Sequence, residues 1–63
     1  MNKYLFGITK YFSGEETFEV EGENSLDALL RAQSIVKLDP KYCDGGNYMT
    51  NSVRLIKKLQ KRG

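Results

Sequence analysis

The run "EETFEVEGENSLDALLRAQ", residues 15–33, decides the fold. Its first part alternates. Phe18 and Val20 fall on one side, and Thr17, Glu19 and Glu21 on the other, which is the pattern of a half-buried strand over 16–22. Past Gly22 the period lengthens from two to about 3.6. Asn24 or Ser25 can accept the first free backbone N–H groups of a helix, and Asp27 suits its positive end. Leu26, Leu29, Leu30, Gln33 and Val36 then share one helical face, with Ala32 flanking. The helix spans 25–37 and stops at Asp39-Pro40, because a residue before proline avoids helical angles.

Upstream, residues 4–11 alternate as a strand, with Tyr4, Phe6 and Ile8 on one face and Leu5, Gly7, Thr9 and Tyr11 on the other. The turn between the strands is constrained by register. A two-residue Ser13-Gly14 loop would pair Ile8 with Glu19 and Phe6 with Glu21, placing acids on the core face. A three-residue loop, Phe12-Ser13-Gly14, pairs Ile8 with Phe18, Phe6 with Val20 and Lys10 with Glu16. Gly14 then takes the left-handed position of a type I turn with a G1 bulge. A slip of one residue would invert every side chain, so this register is expected. The leucine face of the helix fits over Phe6, Ile8, Phe18 and Val20.

Downstream, residues 39–48, "DPKYCDGGNY", read as a loop on turn chemistry. Residues 51–59 read two ways. As a strand, Met49, Val53, Leu55 and Leu59 share a face, interrupted by Asn51 and Lys57. As a helix, Asn51 or Ser52 caps it and Leu55, Ile56 and Leu59 cluster. The strand is preferred, because a two-stranded hairpin is marginal alone and a third strand gives the helix a surface to cover. The fold class is α+β: one small ββαβ domain over 1–63, a three-stranded antiparallel-type sheet with one helix on one face.

Sixty-three residues bury only about 60% of their unfolded surface. An internal catalytic cavity would compete for the few large apolar side chains, so the surface is expected to do the work. The net charge of +2 hides an asymmetry. From Ser13 to Asp27 there are six acids and no base; from Arg54 to Gly63 there are five bases and no acid. There is no histidine, the commonest zinc ligand and general base, and the one cysteine, Cys43, has no disulfide partner within the chain. Cys43 reads as an inert, partly buried thiol. No cofactor and no enzymatic activity are expected. The apolar start "MNKYLFGITKYF" is too short for a signal peptide or a membrane span, which reads as a cytoplasmic protein with no membrane partner.

Four surface features compete with plain structural readings. The acids Glu15, Glu16, Glu19, Glu21 and Glu23 form either a solvated strand face or a patch for a basic partner. The bases Lys57, Lys58, Lys61 and Arg62 form either a solubilising end or a phosphate-contacting segment. On a strand, Arg54, Ile56, Lys58 and Gln60 share the outward face. Tyr42 and Tyr48, on the loop, are the aromatic candidates for contact, while Tyr4 and Tyr11 suit core or rim packing. Asp44-Gly45-Gly46-Asn47 reads as a turn, since no Gly-Lys-Ser/Thr and no helix start follow it.

The run "YLFGITKYFSGEETFEVEGENSLDALLRAQ" resembles a pattern in small phage and plasmid proteins: an acidic second strand of a hairpin running into a helix that opens with Ser, Asp and Ala-Leu. The DpnD/PcfM-like proteins, the N-terminal part of HicB-like antitoxins and the short phage inhibitors of bacterial RNA polymerase share it. In the last group, which is similar in size and has ββαβ order, "SVRLIKK" would match the final strand. The resemblance implies that Arg54 and acids of the hairpin contact a host enzyme, without catalysis.

The expected function is therefore non-enzymatic: binding and blocking a larger host protein, of the transcription machinery or of a defence system, through a charged sheet face. Glu19, Glu21, Arg54 and Lys58 are the expected contacts, with Tyr42 and Tyr48 as anchors. The alternative is a small nucleic-acid-binding domain using the sheet and Lys57, Lys58, Lys61 and Arg62. Either a monomer or a dimer through an edge strand fits.

Overall fold

The computed structural model describes residues 1–12 and 14–59. Strands β1 (Asn2–Lys10) and β2 (Gly14–Gly22) lead into helix α1 (Ser25–Leu38), a one-turn helix α2 (Pro40–Cys43) and strand β3 (Tyr48–Leu59). The sheet is antiparallel, in the order β2-β1-β3, with α1 packed on one face. The molecule measures 38 × 20 × 16 Å, two layers deep. The α+β class and the strand reading of the C-terminal run agree with the sequence reading; α1 ends one residue later than expected, β1 ends at Lys10 rather than Tyr11, and β1, β2 and β3 begin earlier, at Asn2, Gly14 and Tyr48.

The core follows the alternation. Tyr4, Phe6, Ile8 and Val20 are buried on the helix side of the sheet, and Phe18 packs against them. The rings of Phe6 and Phe18 stack at 6.2 Å. Burying a side chain such as Phe6 or Ile8, both fully enclosed, stabilises by roughly 1.5–3 kcal/mol.

The register differs from the expected one by two residues. Phe6 faces Phe18, Tyr4 faces Val20 and Ile8 faces Glu16, so Ile8 is not paired with Phe18 nor Phe6 with Val20. A two-residue shift keeps every side chain on its face, so alternation could not detect it. The cause lies at the end of β1. The Tyr11 N–H donates to the Asn47 carbonyl at 3.0 Å, which pulls Tyr11 out of the hairpin ladder toward the start of β3. Lys10 then opposes Gly14. Gly14 does hold a left-handed angle, φ +87°.

The helix presents a different face from the leucine one. Ala28, Ala32 and Val36 are buried, with Leu29 partly so, whereas Leu26 is 65% and Leu30 56% exposed. Small residues at this spacing let the helix axis come close to the sheet. The contact is tightest at Gly22, where an added Cβ would sit 2.7 Å from the Ala28 backbone nitrogen. The helix start is fixed reciprocally: Asn24 Oδ1 accepts the Asp27 N–H at 2.8 Å, and Asp27 Oδ2 accepts the Glu23 N–H at 2.9 Å.

The expected loop at 39–48 contains α2. Asp39 ends α1 and caps α2, its carboxylate accepting the Lys41 N–H at 3.0 Å. This turn tucks Tyr42 under the sheet end against Ile8 and Val36. Cys43 is exposed rather than partly buried.

Strand β3 pairs with β1 through two irregularities, between Leu5 and Phe6 and between Gly7 and Thr9. At the second, Ser52 stands in for a strand carbonyl. Its hydroxyl accepts the Thr9 N–H at 2.9 Å and donates to the Met49 carbonyl at 2.6 Å.

Candidate functional site

With α1 and α2 on one face, the other face of the sheet is left without a covering element among the described residues. Its side chains come from all three strands. Leu5, Ile56 and Leu59, each partly exposed, form an apolar strip. Cross-strand ion pairs flank the strip. Arg54 Nη2 lies 2.7 Å from Glu15 Oε2, and Lys3 Nζ lies 3.6 Å from Glu19 Oε1. The Glu15–Arg54 pair passes over Gly7. An added Cβ there would meet Glu15 Oε2 at 2.6 Å and Ile56 Cδ1 at 3.1 Å. Glycine at this central position thus makes room for the pair.

Glu19, Glu21 and Arg54 are exposed on this outer face. Glu21 stands opposite Lys3 and Arg54 opposite Gly7. Lys58 does not join them. It pairs with Tyr4, a core-face residue, while Lys57 pairs with the outward Leu5. The irregularity around Ile56 inserts one residue and exchanges the faces beyond it. Lys57 and Lys58 therefore do not form one row. Lys61 and Arg62 lie outside the described residues, as does Gln60.

Tyr42 is 6% exposed and is a core residue, not a surface anchor. Tyr48 is partly buried, its ring edge-on to Tyr42 at 5.0 Å. The Tyr48 hydroxyl donates to Glu16 Oε1 at 2.9 Å. Glu16 faces the helix side, not the acidic outer face. Lys41 reaches its other oxygen at 2.9 Å and Lys10 lies 3.8 Å away. The Lys41 hydrogen bond, then the Tyr48 one, holds the Glu16 carboxyl below the usual carboxylate range. The same contact raises Lys41 and Tyr48 above their ordinary values. This cluster ties α2 and β3 to the hairpin.

Sequence reasoning placed Leu5 and Glu15 on the outer face without naming them as contacts, and it missed Lys3. Lys3 and Glu15 carried a usable signal, since opposite charges on neighbouring strands pair across a sheet once the register is known. It also missed Phe12, 91% exposed at the hairpin tip beside Tyr11.

Compared with protein-family models, with curated proteins and with solved structures, the chain matches none.

Proposed function

We propose that the chain is a non-enzymatic binding module whose uncovered sheet face docks on a larger protein. One observation carries this reading: Leu5, Ile56 and Leu59 share the uncovered face with the ion pairs Lys3–Glu19 and Glu15–Arg54 and with Lys57, apolar side chains among charges of both signs. An apolar centre with a polar rim is the anatomy of a protein interface. The three acids Glu15, Glu19 and Glu21 offset the three cations Lys3, Arg54 and Lys57 on this surface, so it lacks the net positive charge that draws phosphates. No helix of the described residues is long and apolar enough to cross a membrane, and we place the protein in the cytoplasm. The resemblance of the hairpin-to-helix run to small phage and plasmid proteins extends the reading to occupation of a host enzyme by a mobile-element product.

The test is capture from bacterial lysate, with and without nuclease treatment, by the wild type and by Leu5→Lys combined with Ile56→Lys. The wild type retains a defined protein and the variant loses it. Retention of nucleic acid that weakens with salt, or equal capture by both chains, would replace this reading with the nucleic-acid one or refute the face.

A further inference from the structure

The two edges of the sheet are built differently. The β3 edge is broken by two irregularities and carries Lys57 and Lys58, features that discourage a further strand. The β2 edge is regular. All nine of its residues pair with β1 without a shift, from Asn2 with Gly22 to Lys10 with Gly14. No proline, lysine or bulge interrupts it, and among the described residues no strand lies beyond it. Beside this edge runs a groove of about 590 Å³ between β2 and α1. Val20, Leu30, Ser34 and Ile35 line it with Glu19, Glu21 and Arg31, whose charge is answered by Asp27 at 3.1 Å. Leu30 is 56% and Ile35 37% exposed, so the helix flank offers apolar surface that the fold does not use.

We propose that this edge accepts an extended segment of a partner protein as a fourth strand, one in which apolar residues alternate with lysine or arginine. The alternation follows from strand geometry. Residues sharing the face of Val20 enter the groove, and their neighbours stand beside Glu21, unpaired among the described residues, and beside Glu15 and Glu19, whose pairs with Arg54 and Lys3 they would share. A second copy offering its own β2 would set carboxylates against carboxylates, which is unfavourable. The acids thus guard the edge against self-pairing and select a basic strand. The groove lies on the helix side and is separate from the apolar strip of the outer face, although Glu19 borders both.

The test titrates the ¹⁵N-labelled chain with a capped peptide of about seven residues alternating lysine and valine, a typical strand length. Saturable amide shifts are expected at residues 15–22 and 30–35. Affinity is expected to fall at least about tenfold from low to high salt, as screening predicts. A peptide alternating glutamate and valine gives no shift. Leu30→Lys with Ile35→Lys abolishes the binding, whereas Leu26→Lys, exposed and outside the groove, leaves it unchanged. The proposal is overturned by absence of saturable shifts in the wild type, by shifts along β3 instead, or by equal binding of the glutamate peptide. Self-association through β2 in sedimentation experiments overturns it too, by making a second copy the occupant.

Discussion

Gly22 lacks a side chain because α1 leaves no room for one, and Gly7 lacks one for a softer reason. At Gly22 the obstacle is backbone: an added Cβ would lie 2.7 Å from the Ala28 nitrogen and 2.9 Å from its Cα. At Gly7 the obstacles are the ends of the flexible Glu15 and Ile56 side chains. Gly22→Ala should therefore destabilise by about 1–3 kcal/mol, the usual cost of overpacking. Gly7→Ala should stay within about 0.5 kcal/mol of wild type while displacing Glu15 from Arg54. Urea denaturation of the two variants checks the contrast. Glu16 gives a second prediction at this scale. Its folded pKa is depressed, first by the Lys41 hydrogen bond. Its contribution is therefore present above the unfolded value, about 4.3, and is lost as pH falls through the lower folded value. Glu16→Gln should lower stability at pH 7 and flatten the acid side of the stability curve. A variant that loses stability in acid as steeply as wild type would contradict the assignment. On the alkaline side Lys41 and Tyr48 are raised, so their contribution is present below about pH 10 and fades above it.

The elements show where a sequence pattern is informative and where it is not. Alternation in β1 and β2 assigns each side chain to a face, and Phe6, Ile8 and Val20 are buried accordingly. It is blind to a shift of two, which is the shift produced by the Tyr11–Asn47 hydrogen bond. In α1, apolar periodicity points to Leu26 and Leu30, yet the buried stripe is Ala28, Ala32 and Val36. Close seating over Gly22 favours small residues, and hydrophobicity alone does not report how near two elements come. In β3, the irregularity at Ile56 moves Lys58 off the outer face, and a bulge leaves little trace in alternation. Tyr42 is buried because the Asp39-capped turn of α2 folds it beneath Ile8, a long-range event with no local signature. The helix makes a direct prediction. Ala32→Leu should cost about 1–3 kcal/mol by overpacking. Leu26→Ala should change stability by no more than about 0.5 kcal/mol. Thermal or urea unfolding decides it, and the reverse ranking would mean that the leucine face is the covered one.

At the scale of the whole molecule, a two-layer fold with helices on one side only has a second sheet face to dispose of. Here that face holds Leu5, Ile56 and Leu59 among charges of both signs, and we take it to be the docking surface. The regular β2 edge offers a separate place for an extended basic segment. The measurement closest to the central claim is methyl NMR of the chain with and without the protein it captures. Signals of Leu5, Ile56 and Leu59 should move, while those of Ile8 beneath the sheet and Leu26 on the helix stay in place. Movement of Leu26 with Leu5 and Ile56 unaffected would put the partner on the helix and contradict the account.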